Sequence, residues 1–371
     1  FLNQLKLIFY SKFKIYPIIF QDTDELRDYS SLIATERIWK NNRVNFNDIL
    51  DSLLYHIILK QVPYIYIEGY NETVNKLPKS FKNIKLVYSA TGFQENEALK
   101  FYAAELHENN SVKIVGGQHG GSPYGTVLHP FIYHETEIRD KFLTWGWKYT
   151  DNHIPFGNIK SSIQKNKIIK TRFNSTKDKF LFVSDGGEMY WPDETGLPSG
   201  IQWKDYFKDQ EAFFNNLTNE IAKKIIYRRH PNHKFHPFNQ AKKIKKIGIR
   251  IDKNKNINDT LINANLVICD YCKTVFYEMI AYNIPTILII NTNLWKFNKK
   301  FSFLIKKMQV VGIFHNDHNS AYKFLNNNSE DIDKWWNSIE VKKIKDEIKK
   351  NFIRLLDNPE KELSNLLLKF L

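Results

Sequence analysis

Apolar positions recur at three- and four-residue spacing in two early stretches. Leu5, Ile8, Phe9 and Phe13 form one, and Ile49, Leu50, Leu53, Leu54 and Ile57 the other. A helix brings such positions onto one face, so residues 1–60 read as helical. The rhythm then shortens. Residues 64–68 (Tyr-Ile-Tyr-Ile-Glu) and 84–88 (Ile-Lys-Leu-Val-Tyr) are rich in aromatic and aliphatic residues and predict strands. Between 95 and 108 a helix carries Ala98, Leu99, Tyr102, Ala103 and Leu106 on one side. Residues 111–115 predict a third strand and 142–147 a fourth. Residues 157–178 are polar and lysine-rich with neither period, and read as a linker. A second alternation follows, with strands at 179–183, 224–227, 247–251, 266–269 and 285–290. Helices are predicted at 206–223, 258–263 and 274–281, and the remainder to Leu371, with Trp335-Trp336, reads as helical.

Strands alternating with helices predict βαβ units and mostly parallel sheets. The expected architecture is α/β: two doubly wound, Rossmann-like domains facing a cleft. This is the GT-B plan of many nucleotide-sugar transferases, and periodicity alone does not separate it from other two-lobed α/β proteins. The expected limits are an N-terminal α/β domain over 1–160, a linker over 161–178, a C-terminal α/β domain over 179–330 and C-terminal helices over 331–371. In such sheets ligands bind beyond the carboxyl ends of the strands.

Composition narrows the setting. The 371 residues are 42% hydrophobic and 15% aromatic, ample for packed cores, yet no run of about 18 uncharged apolar residues is present. The opening Phe1-Leu2-Asn3 lacks an initiator Met and a signal-peptide layout, which suggests a natural N-terminus further upstream. Two cysteines, Cys269 and Cys272, make no disulfide framework and fit a reducing, cytoplasmic compartment. A net charge of +14 favours anionic partners such as nucleic acid, acidic lipid or phosphorylated substrates. Richness in Asn, Ile and Lys offers a blander origin for that charge, the codon bias of an AT-rich genome.

The candidate chemistry begins at residues 115–125, where a strand runs into a loop holding five of the 15 glycines. Gly117, Gly120 and Gly121 let the backbone turn and let a ligand approach closely. Gln118 and Tyr124 flank them. His119 sits among them as a candidate general base; the alternative is a turn histidine bonded to its own loop. The loop matches neither a Walker sequence nor a dinucleotide fingerprint. A second locus is Arg228-Arg229-His230-Pro231 at a strand end, where guanidinium forks suit a diphosphate and His230 suits a departing phosphate. Only one of two adjacent arginines can face a given side. A third is Asp270-Tyr271-Cys272-Lys273-Thr274, where Thr274 opens a helix whose amides attract phosphate. Glu278, one turn on, reads either as a ribose acceptor or as an exposed helix carboxylate. Ser184 and Asp185 end a strand and begin a loop with Tyr190 and Trp191 that suits a cleft wall. His230, His233 and His236 repeat every three residues, but Pro231 and Pro237 argue against the helix a metal site would need. Two cysteines cannot build a four-cysteine zinc site. Trp145 and Trp147 read as core, and the lysine-rich C-terminal helix as a solvated face, one that could rest on anionic lipid.

Together, Gly117-Gln118-His119-Gly120-Gly121, Trp145-Gly146-Trp147, Thr274 with Glu278, Asn283-Ile284-Pro285-Thr286 and Trp335-Trp336 resemble a bacterial transferase family of surface-carbohydrate (O-antigen) gene clusters. A more distant resemblance runs to CDP-glycerol glycerophosphotransferases and to GT-B sialyl- and Kdo-type transferases. Those enzymes carry a His-Gly loop like His119-Gly120, a His-Pro pair like His230-Pro231, and an Asp-Tyr-Ser-Ser phosphate loop. Here Cys272 and Lys273 replace the two serines, leaving Thr274 as the hydroxyl.

The resemblance implies a cytoplasmic glycosyltransferase of surface polysaccharide, working at the inner face of the inner membrane. It implies a CMP- or CDP-linked donor such as a nonulosonic acid, a glycan or lipid-linked acceptor, no catalytic metal and no separate cofactor. His119 and His230 would be catalytic. Arg228, Arg229, Pro231, Asp270, Thr274, Glu278, Ser184 and Asp185 would hold the donor, and Gly117, Gln118, Gly120, Gly121 and Tyr124 the acceptor loop. Two other classes remain open: a basic nucleic-acid-binding protein, which leaves the glycine-histidine loop unexplained, and a two-lobed nucleotide-sugar epimerase.

Overall fold

A computed structural model describes residues 2–17, 48–62, 64–76, 83–121, 130–173, 175–185, 202–230, 239–293 and 295–371. The chain forms two compact units, Phe1–Val115 with Leu367–Leu371, and Gly116–Leu366.

In the first unit, strand β1 (Leu86–Ser89) neighbours β2 (Lys113–Gly117), with helix Glu97–Asn110 between them in sequence. That helix starts where the Asn96 side chain accepts the Leu99 amide, and ends at Ser111 in the left-handed region. Phe93, Leu99, Ala103 and Ile114 form its core. Helices Leu2–Tyr10 and Ile49–Gln61 follow the early periodicity, residues 11–17 are not helical, and 18–47 of the stretch read as helical lie outside the described residues. Residues 64–68 do not form the expected strand: Tyr64–Tyr66 is a 3₁₀ turn, and 67–69 continue turning. The reason is the position of the aromatics. Tyr66 and Tyr70 both pack on Phe101, at 5.1 and 5.9 Å between ring centroids, and residues four apart reach one partner only when the chain coils.

The second unit holds the last two residues of β2 and the parallel pair β3 (Lys141–Thr144) and β4 (His153–Pro155). It also holds a six-stranded sheet of β5 (Lys179–Val183), β6 (Ile225–Arg228), β7 (Arg250–Ile251), β8 (Ala264–Cys269), β9 (Thr286–Ile289) and β10 (Phe314–His315). Its spatial order is β10-β9-β8-β5-β6-β7, and all five pairings are parallel. The chain builds outward from β5 to β7, then returns to the other side of β5 with β8. This is the doubly wound order, with its switch point between β5 and β8. Alternate residues feed separate cores. Leu181, Val183, Val267 and Leu288 point to one side, and Phe180, Phe182, Leu266, Ile268 and Ile287 to the other. Covered faces on both sides explain strands that read as continuous apolar runs.

Four local expectations are corrected. Residues read as a rhythmless linker are mainly the helix Ile159–Phe173. Asn158 caps it by accepting the Ser161 amide at 2.7 Å, and its buried face is Ser161, Ile168 and Arg172, too polar to register as apolar periodicity. The single helix expected at 206–223 is two, Gln202–Asn215 and Asn219–Lys224, because Thr218 caps the second one. The strand expected at 142–147 stops at Thr144, and the short strands β4 and β10 carried no sequence signal. The C-terminal helix Ile339–Phe352 is not wholly a solvated face. Lys345 is buried over the Trp336 ring, donating to the Asn283 side chain at 3.0 Å and the Trp336 carbonyl at 2.7 Å, and burial lowers its pKa to about 8.

The Trp145-Gly146-Trp147 bend depends on its glycine. Gly146 has φ +144°, and a Cβ there would lie 2.4 Å from the Lys350 carbonyl oxygen, while the Arg354 amide donates to the Trp145 carbonyl at 2.7 Å. Gly146→Ala is expected to destabilise the protein by about 1–3 kcal/mol through backbone strain. A denaturation midpoint equal to wild type would refute this.

Candidate active site

Gly117 ends β2, and the backbone of Gln118 donates to the Leu143 carbonyl at 2.8 Å. The buried Gln118 amide is then held on several sides. Its Oε1 accepts the Trp145 backbone amide at 2.9 Å and the Trp147 indole N–H at 2.8 Å. Its Nε2 donates to the Gly120 carbonyl at 2.7 Å, and the Trp145 indole N–H donates to the Gln118 carbonyl at 3.1 Å. The two tryptophans are core residues, as expected, and they also set the histidine loop.

His119 Nδ1 lies 2.6 Å from Glu135 Oε1, with the Glu135 side chain 1% exposed and that of His119 35%. An ionised carboxylate can only accept, so Nδ1 is the donor of this pair, and in the neutral ring Nε2 is the nitrogen without a hydrogen. A base held in one tautomer by a buried carboxylate is the arrangement of acid–base triads. Glu135 sits near the end of helix Pro130–Glu137, and the buried Arg139 guanidinium donates to its carbonyl while lying over Phe142. Gly116 makes room for that arginine: a Cβ there would meet Arg139 Cδ at 2.0 Å.

The switch point of the larger sheet carries a buried polar network. Ser184 and Asp185 follow β5, and Asp270 follows β8. The Asp185 amide donates to the Tyr206 hydroxyl at 2.9 Å and to Asp270 Oδ1 at 3.2 Å. Gln210 Nε2 donates to Ser184 Oγ at 2.8 Å and to Asp270 Oδ2, and its Oε1 accepts from Tyr227 at 3.2 Å. Lys273 reaches in from the partly exposed side to Asp185 Oδ1 at 3.0 Å. Burial dominates the Asp270 carboxyl and raises its pKa to about 7, with the nearby Asp185 charge adding to the rise and hydrogen bonds from Tyr206 and Gln210 opposing it.

Thr274 opens helix Thr274–Ala281, and its Oγ1 accepts the Gly121 amide at 3.2 Å. A Cβ on Gly121 would meet Tyr277 Cδ2 at 2.4 Å. The glycine loop therefore lies against the first turn of the helix that follows the switch point. Glu278 is neither exposed nor open. It is buried and paired with Lys160 at 3.3 Å, burial raising its pKa and Lys160 opposing the rise. Cys272 packs its thiol 3.4 Å from the Tyr277 hydroxyl, and burial pushes its pKa up to about 12. Neither cysteine is disulfide-bonded.

The two neighbouring arginines separate as strand alternation requires. Arg228 turns to Asp252 at 2.5 Å and donates to the carbonyls of Asn254 and Lys255, which makes it a brace for the loop after β7. Arg229 is exposed, and His230 is half-buried just past β6. Pro231, Tyr124, His233, His236 and the 186–201 loop lie outside the described residues. Among the described residues no group of three or more His, Cys, Asp or Glu side chains could hold a metal ion. Nor is any described helix long and apolar enough to cross a membrane.

Glu135, Tyr206, Gln210 and Tyr227 escaped the sequence reading. Glu135 stands in a short, mixed stretch with a second glutamate two residues on, and nothing there marks which one meets His119.

A model of the LIC12162 family transferases matches residues 1–367. The chain belongs to that family. Its membership agrees with the motif resemblance, and the LIC12162-family chain is a transferase of mixed α/β architecture with two parallel sheets. No curated protein matches it. Among solved structures, two of the wall teichoic acid polymerase TagF with CDPG are 10% and 12% identical to it, with TM-scores of 0.42 and 0.41. They align over 88% and 69% of this chain, and 98% and 67% of theirs. WaaG, a glycosyltransferase involved in lipopolysaccharide biosynthesis, is 12% identical over 76% of this chain and 75% of its own, with a TM-score of 0.29.

The Asp270 proton makes this transferase's stability depend on pH. The folded protein keeps a proton up to about pH 7 that the unfolded chain, with the ordinary value of 3.8, has already released. That group's stabilisation is present below about pH 4 and lost as pH rises towards 7. Relative to Asp270→Asn, which cannot ionise, the wild-type melting temperature should fall between pH 4 and 7. Parallel curves for the two proteins would contradict the raised value.

Proposed function

We propose that the chain is a cytoplasmic GT-B glycosyltransferase of bacterial surface polysaccharide synthesis. It moves a sugar, in our reading a nonulosonic acid, from a cytidine-nucleotide donor to a glycan or lipid-linked acceptor. The observation that carries this is the His119–Glu135 pair on a loop bonded through Gly121 to Thr274, beside the switch point of a doubly wound sheet. His119 Nε2 takes the acceptor's hydroxyl proton as the acceptor oxygen attacks the anomeric carbon. The bond from that carbon to the phosphate oxygen breaks, and the electron pair leaves with the nucleotide. The amides of the first turn after Lys273, with Arg229 and His230, receive the departing charge. His230 can return a proton to the phosphate. Glu135 steadies the imidazolium formed during attack. The net charge of +14 suits an enzyme working against the anionic inner face of the inner membrane, where a lipid-linked acceptor would be found.

Removal of a general base typically lowers rates by about 10²–10⁴-fold. His119→Ala should therefore abolish measurable transfer while nucleotide affinity stays within a few fold, and a wild-type rate in this variant would refute the base. The donor class is tested by thermal shift with CMP, CDP, UDP, GDP and ADP. A selective rise with a cytidine nucleotide is expected. A response to none of the five would refute the nucleotide-donor reading.

A further inference from the structure

The histidine loop is tied down mostly by residues of its own neighbourhood in the sheet. One tie comes from far along the chain. The Gly121 amide donates to Thr274 Oγ1 at 3.2 Å, across 153 residues of sequence. The contact leaves no slack. A Cβ at Gly121 would fall 2.4 Å from Tyr277 Cδ2 and 3.1 Å from Thr274 Cα, so the loop backbone rests directly on the first turn of helix Thr274–Ala281. Gly121 is two residues from His119, a reach of at most about 7 Å. The other end of the loop is clamped at Gln118 by Trp145 and Trp147. His119 is thus strung between two fixed points, with its ring steered by Glu135 from the side.

Sequence reading gave Thr274 to a phosphate. The geometry gives it an earlier task. A threonine hydroxyl has one proton to donate and two lone pairs. The Gly121 amide uses one lone pair and leaves the proton for another acceptor. The preceding residue, Lys273, makes no side-chain cap and sends its ammonium to Asp185 instead. Thr274 is thus the polar side chain of this helix start that reaches the histidine loop.

We propose that Thr274 is a positioning residue for His119, acting through the Gly121 amide to hold the imidazole in line with Glu135. The consequence for catalysis rests on the transferase reading above. There, the same hydroxyl proton faces the donor phosphate, so one side chain links the donor end of the site to the base.

The test needs no substrate. Histidine ring nitrogens labelled with ¹⁵N report the His119 tautomer by NMR, and Glu135→Gln supplies the reference for a ring that has lost its partner. In wild type the Nδ1–H form is expected. Thr274→Val removes the acceptor lone pair at nearly constant volume and should give mixed tautomers at His119, while Thr274→Ser, which keeps the hydroxyl, should retain the wild-type signature. Should the valine variant not fold, Thr274→Ala carries the same two outcomes. A wild-type His119 signature without the hydroxyl overturns the proposal. So does a valine variant that loses only its thermal response to CDP, since Thr274 would then be a nucleotide ligand alone. Failure of the transferase reading looks different: His119→Ala retains transfer, or none of the five nucleotides binds, while the tautomer still follows the Thr274 hydroxyl.

Discussion

The geometry of the histidine loop hangs on one buried side chain, Gln118. An amide taken out of water is costly unless its oxygen and nitrogen both find partners. Here the oxygen accepts from two tryptophans and the nitrogen donates within the loop. Few backbone paths satisfy all of these bonds at once, and the one observed delivers His119 beside Glu135. Glycines 116 and 121 are more than flexible links. At 116 and 121 the absent side chain is the space that Arg139 and Tyr277 occupy.

Four buried carboxylates are stabilised by different partners. Glu135 has a histidine against it, Glu278 a lysine on the neighbouring helix, and Asp185 a lysine from the start of helix Thr274–Ala281. Asp270 accepts from the Asp185 backbone amide and the Gln210 side chain, and burial holds its proton to about pH 7. For Asp270 and Glu278 burial disfavours the charged form, and at Glu278 the nearby Lys160 opposes it. Asp270 is a hydrogen-bonded member of the switch-point network, which lies just before the helix that anchors the histidine loop.

Most of the larger sheet was legible from the chain. Strands β5 and β8 and helix Thr274–Ala281 were found almost residue for residue, because strands covered on both faces and helices with one apolar stripe leave strong patterns. The failures share a cause. Helix Ile159–Phe173 buries serine and arginine, β4 and β10 are three and two residues long, and Tyr66 belongs to a coil shaped by Phe101. In each, a tertiary partner outweighs the local pattern.

Within the site the division follows the same line. The glycine-histidine loop, the arginine pair and Thr274 were visible as residue types in unusual company, since only certain chemistries call for them. The sequence by itself determined the α/β alternation, the transferase family and the loop on which a base could sit. Only the tertiary structure decided that Glu135 is the partner of His119, that Arg228 braces a loop, and that Thr274 meets Gly121. A hydrogen bond between residues 153 apart depends on how the strands order themselves in the sheet, and no local spacing encodes that order.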